Sequence, residues 1–394
     1  MLQRLLLLFL IPVFELFFCV ATISENFEYQ VLHKSAVVCD LHCDTVLRLI
    51  QGVPLGVRGQ GGHIDVPRMK EGGIDLQAFC CWVHPQHVPP ESSALKIHRM
   101  IDVLSDQFEI NSESIAVART GTQAEAIIAS GKIAAVLAIE GGHAIENSIE
   151  KLKTFRDRGV RYMTITWNKS LDWADAAADT APQHGGLTDF GRKIIKTMNE
   201  IGVIIDVSHV AESTFWDIIE TTEDPIIASH SCVYNLCPHF RNLTDNQIRA
   251  IARNGGVIGI NFCSSFLDST FGRKYDILET KYLTEIDSLW EVYKGNRDRY
   301  VEEKNTLLGN EFQSIRPPLD RAVDHIDYIV KLVGSEYVAL GSDFDGTTSL
   351  PKGLEDCSKV PAITKKLLER EYSEEDIQRI LGGNFLRVFK KVCG

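Results

Sequence analysis

The sequence predicts an α/β protein, a (β/α)8 TIM-type barrel with a helical insertion between its seventh and eighth strands. Three observations carry that prediction. Apolar runs rich in Val, Ile and Ala recur eight times without the strict alternation of a half-exposed sheet, as strands buried on both faces require. Amphipathic helical patterns lie between most of them. Several runs end on a histidine or a carboxylate, and the carboxyl ends of barrel strands are where such a fold collects its functional groups.

The first run, 36–44, contains His42 and Asp44, two residues apart on a strand, so both project to one face while Cys43 points the other way. The second, 73–83, holds the adjacent Cys80 and Cys81, which face opposite sides and are not expected to pair. In the third, 133–142, "IAAVLAI" leads into Glu140, a charge that is costly to bury unless something meets it. The fourth, 160–167, ends at Trp167; the fifth, 202–209, at His209; the sixth, 225–231, carries His230; the seventh, 255–263, reaches Cys263. The eighth, 337–346, carries Asp343, followed by Asp345 and Gly346 in what reads as a turn. Helical patterns such as "DFGRKIIKTMNEIG" and "TDNQIRAIARNG" separate the runs and end on Gly, as helix C-caps favour. Residues 265–320 break this rhythm: long, charged and aromatic, they are expected to form the insertion over the barrel mouth, either a substrate lid or a solvated helix.

A length of 394 residues would allow two domains, but barrels of this size are commonly one, so 22–394 is expected to be a single domain. Hydrophobic content of 44% and charged content of 24% are those of a globular protein with a large core. A net charge of -12 without a basic tract argues against nucleic acid or an anionic membrane surface as partner and favours a small molecule. Residues 1–21 differ in kind: "MLQR", then "LLLLFLIPVFELFF", then Cys19-Val20-Ala21 read as an export signal, making the protein periplasmic or secreted. The alternative is an uncleaved segment that holds the chain at a membrane. The carboxyl end, "NFLRVFKKVCG", has no hydrophobic tail, so no GPI anchor is expected. Cleavage would leave nine of the ten cysteines, an odd number that demands a free thiol or an intermolecular bond. Cys39 and Cys263 sit in apolar runs and read as small buried hydrophobes, and no bridge can be assigned.

Taken singly, His209 or His230 reads as a core histidine. Four ligand-bearing strand ends in one chain read as a metal centre, since imidazole and carboxylate are the donors that borderline cations such as zinc prefer. Five candidates, His42, Asp44, Glu140, His209 and His230, with one bridging carboxylate suit a two-metal site that activates a shared water and polarises a carbonyl. Asp343 reads as a further ligand, a general acid/base or a turn residue; five ligands elsewhere leave it for proton transfer.

In order along nearly the whole chain, "DLHCDT", "AIEGGHAIE", "GLTDFGR", "DVSH", "SHS" with Arg241 and Asn242 following, "GSDFDG" and "GGNFLRVF" resemble the membrane dipeptidase family, also called renal dipeptidases, of the amidohydrolase superfamily. That resemblance implies a barrel of the metal-dependent hydrolase kind and a dinuclear zinc dipeptidase. It implies that His42 and Asp44 hold one zinc, His209 and His230 the other, and that Glu140 bridges them. It also gives Asp343 the role of acid/base and Arg241 that of gripping the substrate's terminal carboxylate, although from the residues alone Arg241 reads as a surface arginine near a helix start. Two positions depart from the family pattern: Trp167 stands where a histidine is thought to contact the scissile group, and Cys263 where a tyrosine follows "NF". An indole N–H is a donor only, so an intact metal site with an altered substrate pocket is expected. The expected partner is a small dipeptide-like substrate, with a homodimer left open. Other amides, such as N-acyl amino acids or β-lactams, are the alternative substrates, and a non-catalytic metal-containing binding protein is the alternative class. Asn242-Leu243-Thr244 also matches a glycosylation sequon, though occupation beside a substrate-binding arginine is not expected.

Overall fold

The computed structural model describes residues 28–59, 61–85, 90–347 and 349–394. Its strands are β1 (Cys39–Cys43), β2 (Leu76–Trp82), β3 (Ile115–Val117), β4 (Ile133–Glu140), β5 (Val160–Thr164), β6 (Ile204–Asp206), β7 (Ile227–Ser231), β8 (Val257–Ile260) and β9 (Val338–Leu340). All pairings are parallel, and eight strands close the expected barrel: β1, β2 and β4 to β9 pair in that order, with β9 returning to β1. The ninth strand, β3, is an addition to the expected eight. It pairs with Ile133–Ala135 at the start of β4, on the edge that β5 occupies from Leu137 onward. Three residues make too short an apolar run to read in advance.

The barrel interior is built of small side chains, among them Cys39, Ala78, Cys80, Ala134 and Ala138, with the large ring of Tyr162 contributed by β5. Helix Asn384–Cys393 packs Phe385, Val388 and Phe389 into this same cluster and contacts β6, β8 and β9, which closes the barrel opposite the site described below. Cys81 faces out into the larger core between strands and helices, so Cys80 and Cys81 do lie on opposite faces. The helical patterns are capped as the sequence suggests: Thr188 and Thr244 accept from Gly191 and Gln247 at helix starts, and Gly202 and Gly255 end the helices with φ of 66° and 80°.

Between β8 and β9, the seventh and eighth barrel strands, helices Ser264–Leu267, Ser269–Lys281, Leu283–Tyr293 and Arg297–Ile315 precede helix Asp320–Val333, which returns to the barrel. Phe271, Leu278, Ile286, Leu308 and Phe312 give this insertion a small core of its own. All nine cysteines among the described residues are free thiols, seven of them buried. No described helix is long and apolar enough to cross a membrane. The expected export signal, 1–21, lies outside the described residues.

Candidate metal centre

At the carboxyl ends of the strands the register sets Trp82, Glu140, Thr164 and Asp206 side by side. From there Glu140 reaches three imidazoles: its Oε1 lies 3.0 Å from His209 Nε2 and 3.4 Å from His230 Nε2, and its Oε2 lies 3.8 Å from His42 Nε2. His42 Nε2 is also 3.8 Å from Asp44 Oδ2, and the Nε2 atoms of His209 and His230 approach to 3.0 Å. Two groups overlap at His42. Donor atoms of His42, Glu140 and His230 lie within 4.8 Å of one another, as do those of His42, Asp44 and Asp343. The five residues singled out as ligands thus converge, all buried, with half-buried Asp343 at their edge.

The electrostatics suit a cation. Burial, aided by the Arg241 charge, pulls His42 down to about 3, and His209 and His230 well below the usual histidine range, so all three imidazoles are neutral. Burial, then repulsion from Asp44 and Asp343, pushes the Glu140 carboxyl well up, with Arg241 opposing. His42 Nε2 is buried and makes no hydrogen bond. Neutral imidazole nitrogens and crowded carboxylates facing one another, one of those nitrogens orphaned, are a donor set that fits divalent metal.

A polar layer beneath holds these groups. Asp206, fully buried, accepts from Thr164 Oγ1 (2.5 Å), Ser208 N (3.0 Å), Ser229 N (2.8 Å) and Ser229 Oγ (2.6 Å), and Ser229 Oγ lies 2.7 Å from His230 Nδ1. His209 Nδ1 lies 2.9 Å from Asn168 Oδ1, and Asn261 Nδ2 donates to Asp343 Oδ2 at 3.1 Å. His209 and Asp343 both adopt left-handed backbone, φ 72° and 61°, a cost that non-glycine residues bear only when their surroundings demand it. Gly346 shows the same crowding: a Cβ there would stand 2.0 Å from Asp343 Oδ1 and 2.1 Å from Asp44 Oδ2. Sequence reasoning missed Asp206, Asn168 and Asn261. The cost of burying a charge in an apolar run, which singled out Glu140, applies equally to Asp206 in "VIIDVS". Asp345 lies in a turn, as expected, but its buried carboxylate also accepts from Thr45 Oγ1 (2.8 Å) and His63 N (2.7 Å), which ties the β1 and β9 ends together.

Above the cluster opens a cavity of about 730 Å³. One wall is aromatic: Trp82 and Trp167 have ring centroids 4.9 Å apart, and His84 packs edge-on to both. Phe266 and Cys263 line another side, and Trp290, Lys294 and Tyr300 from the insertion complete it, so the insertion walls the site and is not merely a solvated surface. Arg241 corrects its reading as a surface residue. It is 4% exposed, its Nη2 donates to His230 O at 3.1 Å, its guanidinium lies 5.6 Å from the Phe266 ring centroid, and its Nε is buried without a hydrogen-bond partner. Asn242 is buried, its amide donating to Cys237 O (2.8 Å) and Phe266 O (2.9 Å), which leaves no room for a glycan.

Comparison with known proteins agrees with this geometry. Residues 27–393 match the membrane dipeptidase family, peptidase family M19. Dipeptidase aclJ of Aspergillus oryzae is 31% identical over 343 residues, 84% of this chain and 70% of that protein. Among solved structures, the probable dipeptidase PvdM of Pseudomonas aeruginosa has a TM-score of 0.78 at 23% identity, covering 94% of this chain and 98% of that one. A metallo peptidase of Rhodobacter sphaeroides, bound to a phosphinate mimic of the dipeptide L-Ala-D-Ala, has a TM-score of 0.74 at 24% identity, covering 91% of this chain and 99% of that one. At these identities the two structures are alike in fold.

Proposed function

Because the chain belongs to the membrane dipeptidase family of metallopeptidases, we propose that it hydrolyses the peptide bond of dipeptides at a two-zinc centre held by His42, Asp44, Glu140, His209 and His230. The observation that supports this most is Glu140, one carboxylate whose two oxygens face different imidazoles, Oε1 toward His209 and His230 and Oε2 toward His42. Bound there, two zinc ions would polarise the scissile carbonyl and acidify a water.

The remaining work falls to the chain. Asp343, its Oδ2 held by the Asn261 amide, takes the proton that the attacking water loses and passes it to the leaving nitrogen as the C–N bond breaks. Two free amino acids result. Arg241 is poised to hold the substrate's α-carboxylate through a planar two-point contact, its guanidinium lining the cavity beside the metal ligands and close enough to lower the proton affinity of all three histidines. Trp82 and Trp167 present an apolar wall that favours a large apolar side chain. The basic start and apolar stretch of 1–21 support export, periplasmic or secreted.

Metal analysis and a mixed dipeptide assay test this together. We expect about two zinc per chain, and His209→Ala should lower that content and abolish turnover. Full turnover by protein shown to be free of metal would sink the proposal. A second reading, hydrolysis of other amides, is favoured by Trp167 in place of an imidazole; side-by-side turnover of dipeptides, N-acyl amino acids and β-lactams separates the two.

A further inference from the structure

The three imidazoles of the cluster are held from behind by three different acceptors. His209 has the Asn168 amide oxygen and His230 has the Ser229 hydroxyl backed by Asp206, whereas His42 has a thiol. His42 Nδ1 lies 3.2 Å from Cys80 Sγ; Cys80 Sγ lies 2.7 Å from Tyr162 Oη; and Tyr162 Oη lies 2.7 Å from the Leu41 carbonyl oxygen. All four residues are fully buried. Nδ1 is also 3.4 Å from Tyr162 Oη, too long to replace the thiol contact.

Counting protons gives the chain a direction. A carbonyl only accepts, so the Tyr162 O–H donates to Leu41 O. Tyr162 Oη is then an acceptor, and the thiol proton of Cys80 goes to it. Cys80 Sγ is left to accept, and what faces it is His42 Nδ1, which must therefore carry the imidazole proton. The lone pair then sits on Nε2, the buried atom without a hydrogen bond that faces Glu140 and Asp44. The opposite tautomer would forfeit the contact between the thiol proton and tyrosine and would bury an Nε2–H whose nearest carboxylate oxygens, on Glu140 and Asp44, lie at 3.8 Å, beyond hydrogen-bond reach.

From this we infer that Cys80 is a positioning residue for the metal centre: with Tyr162 behind it, its thiol fixes the His42 tautomer and ring orientation that present Nε2 to the ion. The inference rests on the metal-site reading above. It gives the inward-facing cysteine of the Cys80-Cys81 pair a task beyond filling the small-residue barrel interior.

The test is zinc affinity of the full chain, measured by competition with a chromophoric chelator, alongside melting of each metal-free variant. Loss of the partner behind a metal-bound histidine typically weakens binding by about 10- to 100-fold, and we expect a loss in that range for Cys80→Ala. Cys80→Ser, which still accepts and donates, should recover much of it. Tyr162→Phe, which removes the acceptor for the thiol proton, should show a smaller loss in the same direction and keeps the idea testable should Cys80→Ala fail to fold. Parent-like zinc affinity in folded Cys80→Ala, or in Tyr162→Phe if only that variant folds, would overturn the inference even if metal-free melting dropped, since that pattern marks a packing role only. A parent protein that binds no zinc would instead overturn the metal-site reading itself.

Discussion

Asp343 has its carboxylate held by the amide of Asn261, one residue past the end of β8. Its donor atom still lies within 4.8 Å of those of His42 and Asp44, close enough for it to act as a ligand. Asp343→Asn separates the roles. As acid/base, the variant should lose about 10²- to 10⁴-fold in kcat with zinc content unchanged; loss of zinc would place Asp343 in the ligand set. Arg241 gives a second test at this scale. Amidating the substrate's carboxyl terminus should lower kcat/KM strongly in the parent, and in Arg241→Ala the penalty should largely vanish because the contact is already gone. Equal turnover of free and amidated dipeptides by the parent would show that no carboxylate clamp operates.

Helix Asp320–Val333 joins the insertion to the barrel, and His325 is its rivet. Val233 N donates to His325 Nδ1 at 3.0 Å, and Nε2 faces Leu267 O at 3.1 Å, so the ring fits only as a neutral imidazole. Burial holds it at about 4, with the Leu267 contact opposing. The unfolded chain takes up this proton near 6.5, the folded chain not until about 4. Between those values the unfolded state binds more protons, so stability falls as the pH falls through that window, by roughly 3 kcal/mol at full titration. His325→Gln cannot titrate, and denaturant unfolding between pH 7 and pH 4 should show a shallower decline than in the parent; identical declines would remove His325 as the cause. At this scale the sequence was readable in kind but not in extent. The run 202–209 holds a strand of only Ile204–Asp206, because Ser208 and His209 leave the ladder yet stay buried, and burial rather than pairing is what makes a run apolar.

The barrel as a whole was legible because burial on both faces writes a plain apolar signal eight times over, and the metal centre because Glu140 at the end of such a run demands a partner. The polar layer beneath was not: Asn168, just past the fourth run, and Asn261, near the end of the seventh, carry no signal of their own until their amides are seen on His209 and Asp343. The burial of Arg241 was not legible either, since nothing near it in sequence shows that Phe266, beyond the next strand, covers its guanidinium. One consequence belongs to the entire molecule. Asp44, Glu140 and Asp343 crowd at one end of the barrel, where Asp44 and Asp343 push the Glu140 carboxyl up, so the metal-free fold carries a repulsion that cations remove. The proposed ligands come from four separate strand ends, so the unfolded chain has no comparable site, and binding energy becomes folding energy. At free zinc about 1,000-fold above Kd, each site adds about 4 kcal/mol. Chelator-treated protein should therefore melt several degrees below the parent, and adding back zinc should restore the melting temperature as its concentration passes Kd. Coincident melting of protein verified as metal-free and as loaded would mean that the cluster holds its shape without cations and that its carboxylates share protons instead.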